Sequence, residues 1–173
     1  MQLNYAPYKI VAQLIHRSGA VLEIGGSQKK LRQFLPANIT LFTVGVIGGD
    51  VLYDGKNLPF SDKSVETLIS IDTIERLPVV KRELFMKELT RVAKKRVVIA
   101  AHLSTTAHVR IGLPTMKEIK QLVQPFPSHN LLFQAEMNHP GIGRLWSEIK
   151  KIIWDKAVPF NQSTNRFYLQ INL

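Results

Sequence analysis

Three short segments of the chain place acids and glycines where a ligand could meet them. In Val21-Leu22-Glu23-Ile24-Gly25-Gly26-Ser27 an apolar run carries one acid, turns on two glycines and opens toward a helix. Glycine lets backbone approach a ligand closely, a helix start offers unpaired N–H groups to an anionic end, and Glu23 is suited to a cationic amino group. The same pattern also describes a tight turn after a strand. It is a poor dinucleotide fingerprint, because Ser27 and Lys30 stand where G-x-G-x-x-G needs its second and third glycines. The second segment is Asp54-Gly55-Lys56-Asn57-Leu58-Pro59-Phe60-Ser61-Asp62. An acid at the mouth of a parallel sheet, here Asp54, can accept a hydrogen bond from an exocyclic amine such as that of adenine, and Leu58 and Phe60 can wall the ring. The plainer reading is a turn that Asp54 caps. In the third segment, Leu68 to Pro78, an apolar strand ends with Ser70 and Asp72 beside its tip. Asp72 is placed either to orient a substrate or to cap a helix.

An alternation of strands and helices must position these segments. Pro7 opens a helix whose apolar stripe is Ile10, Val11, Leu14 and Ile15, and Gly19 stops it. Ala20–Ile24, Ile39–Val44, Val51–Tyr53, Val65–Ile71 and Arg96–Ala101 read as apolar runs rather than alternations, as strands covered on both faces do. Between them, Leu31, Phe34 and Leu35 give one helical face that ends at Pro36, and Pro78 opens a helix carrying Phe85, Leu89 and Val92. In the last third, Thr115–Val123 and Trp146–Trp154 read as helices and Leu131–Met137 and Phe167–Asn172 as strands. Two closing strands without a long crossover suggest an antiparallel edge pair. The expected fold is α/β and doubly wound, with seven mostly parallel strands, an antiparallel edge, helices on both faces and a single domain over 1–173.

Composition narrows the chemistry. The 173 residues include no cysteine, which removes disulfides, thiolate zinc sites and cysteine nucleophiles together. His16, His129 and His139 show no metal-ligand spacing, so no metal site is expected. No window approaches the ~18 consecutive apolar residues of a spanning helix, and the opening residues lack a secretory layout, so the expected compartment is the cytoplasm. The net charge of +10 gathers at Lys29-Lys30-Arg32, Lys81-Arg82, Arg91 with Lys94-Lys95-Arg96, and Lys150-Lys151. Such clusters are either solvated helix faces, the favoured reading, or an electrostatic footprint for nucleic acid.

The stretch from Val21 to about Ala101 resembles the small class I S-adenosylmethionine-dependent methyltransferases of the type 11 kind. Leu58-Pro59-Phe60-Ser61-Asp62 is similar to that family's L-P-F-x-D. Ser70 to Pro78 is similar to S-x-D-x-x-E-H-x-P with Arg76 at the histidine, and Glu88-Leu89 with Arg91-Val92 to E-L-x-R-V. The resemblance implies a Rossmann-like sheet and S-adenosylmethionine as cofactor. It also implies that Glu23, Gly25, Gly26 and Ser27 line the methionine end, Asp54, Gly55 and Leu58 the adenine, and Ser70 and Asp72 the sulfonium and substrate.

The departures are specific. The family's E/D-x-G-x-G-x-G becomes Glu23-Ile24-Gly25-Gly26-Ser27-Gln28-Lys29, and the acid that grips the ribose falls at Thr43. Losing that charge-assisted partner implies weaker binding by about one to two decades. Methyl transfer needs an in-line approach, with a base only when the nucleophile carries a proton, and His102 after the fifth strand is the candidate base. The function expected is methyl transfer to a small-molecule or glycan- or lipid-linked acceptor. The alternative is a methyltransferase-fold module that binds a partner or nucleic acid without turnover. Nucleic acid is the less favoured partner, because the basic clusters fall on different helices and lack interleaved aromatics.

Overall fold

The structure, a computed structural model, describes residues 6–15, 19–26, 30–53, 57–104, 112–134 and 166–173. Helix α1 (Ala6–Leu14) leads into β1 (Ala20–Ile24), a 3₁₀ helix (Lys30–Phe34), β2 (Thr40–Gly45) and β3 (Val51–Leu52). Then come β4 (Val65–Ile71), a 3₁₀ turn (Ile74–Arg76), α2 (Val79–Val92), β5 (Ala93–His102), α3 (Met116–Val123), β6 (His129–Gln134) and β7 (Arg166–Asn172). The expected α-helix around Leu31 is the tighter 3₁₀ form, and β5 starts three residues early, directly from the end of α2. The expected helix Trp146–Trp154, and residues 135–137 of the sixth strand, lie outside the described residues.

All seven strands form one sheet in the order β3-β2-β1-β4-β5-β7-β6. The first five pair in parallel, and β7 pairs antiparallel with both β5 and β6. The chain therefore reverses direction across the sheet between β1 and β4, the kind of switch point where the C-terminal strand ends open a crevice. Register carries this to side chains: Glu23 sits level with Thr43 and Ile69, and His102 sits directly across from Arg166.

Each face of the sheet has its own core. On one, Leu22, Ile24, Leu68, Val97, Ile99, Phe167 and Leu169 pack against Phe85, Met86 and Leu89 of α2 and Ile119 of α3. On the other, Val21, Ile69, Ile71, Val98, Ala100 and Tyr168 pack against Val11, Ala12 and Ile15 of the α1 region and Leu31, Leu35 and Ile39. The apolar runs of β1, β4 and β5 are buried on both faces as read from sequence, whereas β2 and β3 at the edge leave Phe42 and Leu52 exposed. Among the described residues no helix is long and apolar enough to cross a membrane.

Several residues that looked like solvated charge or ligand walls are fasteners. Arg82 is 1% exposed. Arg32 donates to the carbonyls of Leu35, Pro36 and Ile39, and Arg96 donates to Leu14 O. Leu58 is buried in the α2-side core, and its N–H donates to Glu88 Oε1 at 2.7 Å. Arg91 donates to that same carboxylate, to Asp62 and to the carbonyls of Leu58 and Phe60. The two motifs L-P-F-S-D and E-L-T-R-V thus clip a loop onto α2. Glu88→Ala should lower unfolding free energy by about 2 kcal/mol in urea titrations, because it strands a buried N–H and removes a charged acceptor. Asp62→Ala, at the solvent end of the same clip, should cost a few tenths, about 0.3 kcal/mol.

Candidate functional site at the carboxyl edge of the sheet

The C-terminal ends of β1, β2 and β3 and the segment after β4 enclose a cleft of about 590 Å³ on the α2 side, a usual size for a small-molecule site. Gly25, Gly45, Tyr53, Asn57, Thr73 and Leu84 are among its lining residues. Gly25 is there because nothing larger fits. Its φ is +85°, and an added Cβ would stand 2.2 Å from Thr73 Oγ1. That hydroxyl is itself fixed between the carbonyls of Ile24 and Ile71.

Glu23 lies one residue back from the tip of β1 on the other face of the sheet, the α1 side. Its side chain is buried, one carboxylate oxygen meets no hydrogen-bond partner among the described residues, and burial pushes its pKa up to about 7 against the pull of Lys30. Gly26 keeps the space beside it open, since a Cβ there would fall 2.4 Å from the Glu23 carboxyl carbon. A buried carboxylate with one oxygen unpartnered among the described residues, beside a glycine turn, fits a cationic amino group well, because bare burial of that charge is costly.

The same face carries a second polar group. Asp72, just past β4, holds φ at 54°, a conformation side-chained residues rarely adopt. Its carboxylate is gripped by both terminal nitrogens of Arg166, and the guanidinium is 5% exposed. His102, at the end of β5, sets Nδ1 at 3.2 Å from Glu75 and 3.8 Å from Asp72. Tyr8 of α1 borders both acids: burial first, then the charges of Glu23 and Asp72, push its hydroxyl pKa up. Tyr168 of β7 is pushed up to about 12, chiefly by burial.

Of the residues singled out in the sequence, the fold brings Asp72 and His102 together and sets Glu23, Gly25 and Gly26 along the same edge. Ser70 is fully buried on the α2 side with its hydroxyl unpartnered among the described residues. Thr43 is fully buried too, and the end of β2 is not without an acid: Asp50 folds back from the following loop. Asp50 Oδ2 accepts the Thr43 N–H at 2.8 Å and hydroxyl at 3.0 Å. Ser27, Asp54 and Gly55 lie outside the described residues. Glu75 and Arg166 were missed. Glu75 carried a signal, as the acid of the S-x-D-x-x-E pattern, whereas Arg166 reaches Asp72 across 94 positions and had none.

The ligand atoms of Asp72, Glu75 and His102 lie within 4.8 Å of one another, close enough for a metal ion. The Arg166 guanidinium already fills the role of cation there, bound to Asp72 and against the His102 ring.

No protein-family model matches the chain, and no curated protein matches it. Solved structures do match. An S-adenosylmethionine-dependent methyltransferase of Thermotoga maritima, described as a possible histamine N-methyltransferase, aligns at TM-score 0.61 and 15% identity over 97% of this chain and 88% of its own. The 1,6-didemethyltoxoflavin N1-methyltransferase of Burkholderia thailandensis, solved with its substrate and S-adenosylhomocysteine, aligns at 0.64 and 10% over 98% and 79%. A cyclase aligns at 0.61 and 10% over 95% and 78%, so this fold is also used outside methyl transfer. Strand order, the antiparallel β7 and these alignments agree: the chain has the Rossmann-like fold of the class I S-adenosylmethionine-dependent methyltransferases.

Proposed function

We propose that the chain is an S-adenosylmethionine-dependent methyltransferase acting on a small-molecule acceptor. The observation that carries this reading is Glu23, a buried carboxylate with an oxygen left unpartnered, set beside a glycine turn at the mouth of β1. When bound, the cofactor supplies a methyl group activated on a sulfonium. Glu23 would hold its amino group, Gly25 and Gly26 would let it approach the backbone, and the cleft beside Gly45, Tyr53 and Asn57 would take the nucleoside. Ser27 would join Gly25 and Gly26 in holding the methionine end, and Asp54 and Gly55 would meet the adenine. Asp72 and His102, at the ends of β4 and β5 three and four strands from β3 at the cleft's far wall, would face the acceptor. The 1,6-didemethyltoxoflavin bound to the Burkholderia enzyme supports a small acceptor.

A second reading, a module that binds without turnover, is favoured by β2: Thr43 is sealed, and the carboxylate that Asp50 brings there is already engaged by the Thr43 N–H and hydroxyl. Calorimetric titration with S-adenosylhomocysteine at pH 8 tests the proposal. Saturable one-to-one binding, competed by S-adenosylmethionine, is expected. A folded chain that binds neither would overturn the cofactor assignment.

A further inference from the structure

Glu75 Oε1 stands 3.2 Å from His102 Nδ1 and also accepts the His102 backbone N–H at 3.4 Å. One terminal nitrogen of Arg166 stands 3.0 Å from Nε2 and 3.4 Å from Nδ1 of the same ring. A single atom can be that close to both ring nitrogens only above the ring, because within the plane it would overlap the carbon between them. Arg166 therefore supports the imidazole from its face. Glu75 is the acceptor at Nδ1. An ionised carboxylate only accepts, so Nδ1 carries the proton and Nε2 keeps its lone pair.

Charge and exposure give this arrangement a direction. The Glu75 side chain is 8% exposed and the His102 side chain 35%, so the carboxylate lies behind the ring and the ring is the more open of the two. The second Glu75 oxygen is buried without a partner among the described residues. Asp72 is neutralised by Arg166 through two hydrogen bonds. The imidazole is thus left as the group that can offset Glu75, and it does so best once it has gained a proton.

We propose that Glu75 is the positioning residue of a Glu75–His102 base dyad. We further propose that the acceptor's attacking atom still carries a proton on arrival, as in a hydroxyl or a primary amine. This rests on the methyltransferase reading above. In the step, the acceptor's oxygen or nitrogen bonds to the methyl carbon. The carbon–sulfur bond breaks with its electron pair going to sulfur, and the acceptor's proton passes to His102 Nε2. Glu75 holds the resulting imidazolium until the proton leaves to solvent. A nucleophile without a proton, such as a tertiary amine or thioether, would leave the dyad without work.

Histidine nitrogen spectra of the ¹⁵N-labelled chain with S-adenosylhomocysteine at pH 8 show which nitrogen of each ring is protonated, and His102→Asn identifies the signal. The Nδ1–H form is expected in the parent chain. In Glu75→Leu, which leaves Nδ1 no carboxylate to donate to, the preference for the Nδ1–H form should be lost, with S-adenosylhomocysteine affinity unchanged within about twofold. An Nε2–H ring in the parent, or an Nδ1–H preference unchanged in Glu75→Leu, would overturn the dyad. Should that variant fail to fold, the parent's tautomer still decides. For the acceptor, S-adenosylhomocysteine formation is followed with phenols and primary amines, and separately with tertiary amines and thioethers. Turnover of the first group, reduced on the order of a hundredfold by His102→Asn, is expected. A chain that binds S-adenosylhomocysteine yet methylates none of that group overturns the acceptor class. A chain that does not bind it sinks the methyltransferase reading instead, while the tautomer can still be read.

Discussion

Glu23→Gln is expected to stabilise the free protein at pH 8 and to remove most of its affinity for S-adenosylhomocysteine. Both effects come from one buried charge. The Glu23 pKa rises from the ordinary 4.5 to about 7 in the folded chain, with burial the largest cause. A carboxyl group whose pKa rises on folding is bound more tightly to its proton in the native state than in the unfolded one. Between pH 4.5 and about 7 the native state therefore holds the extra proton, and stability falls as pH rises through that window. At about 1.4 kcal/mol per unit, the ionised Glu23 costs the free protein about 3 kcal/mol above pH 7. Glutamine keeps the shape without the charge, so the variant should be more stable at pH 8 by up to about 3 kcal/mol and nearly level with the parent at pH 4.5. Urea midpoints across this range decide it, and parallel curves for the two proteins would show that Glu23 is already paired.

The ligand reverses the preference. An ammonium beside Glu23 favours the anion, so binding must displace the proton. Affinity of the parent should therefore weaken about tenfold per unit as pH falls below 7, and should weaken again above about 8 as the ligand's own α-amino group loses its charge. Glu23→Gln should lose on the order of a hundredfold at pH 7.5, the worth of a charged hydrogen bond in a dry site, and should lose the acid limb as well. A variant that keeps the parent's affinity would remove Glu23 from the site. Glu88 works in the opposite sense: Arg91 above all holds its pKa low, so its contribution is present at neutral pH and is lost on acidification below the ordinary carboxylate range. The free protein is thus expected to be most stable near pH 5, between the two titrations.

How far the sequence revealed this site depended on how local each determinant is. The strands were readable because burial on both faces needs an unbroken apolar run, and Ala20–Ile24 and Val65–Ile71 came out at their expected bounds. Glu23 was readable for a related reason, being a single acid inside such a run. What escaped was set by contacts between distant segments. Leu58 looked like a ring wall because it is apolar beside a candidate acid, yet the N–H it gives to Glu88, thirty positions away, draws it into the core. Thr43 looked like a missing acid because its register was correct, yet Asp50 supplies a carboxylate from a turn that no periodicity predicts. Arg82 looked like one of a solvated pair with Lys81. On a helix, neighbours differ by about 100° in direction, so adjacent basic residues need not share an environment.

Arg82→Ala should be the most damaging substitution outside the strands, and it should damage the site as well as the fold. The buried guanidinium donates through Nε to the carbonyls of Ile74 and Leu77 at 3.1 and 3.2 Å, to both oxygens of Glu118 at 2.8 and 2.9 Å, and to Gly112 O. It thereby ties the turn after β4 and the approach to α3 onto α2. Truncation leaves a cavity, three carbonyls and a largely buried carboxylate without their partner. Breaking one half of a buried pair costs about 3–5 kcal/mol, and about 10 °C of melting temperature in a chain of this size. Replacing both partners, as in Arg82→Met with Glu118→Met, removes the orphaned charge and should cost less than Arg82→Ala alone. A double variant as unstable as the single one would show that the carbonyls, not Glu118, dominate. The turn that Arg82 holds carries Glu75, while Thr73 and Leu77 on either side of it line the cleft. The fitness of the double variant for ligand is therefore a separate measurement: it restores charge balance at α3 but not the hydrogen bonds to Ile74 and Leu77. We expect it to melt near the parent and still bind S-adenosylhomocysteine more weakly, because the hydrogen bonds that Arg82 gives to the carbonyls of Ile74 and Leu77 are not restored.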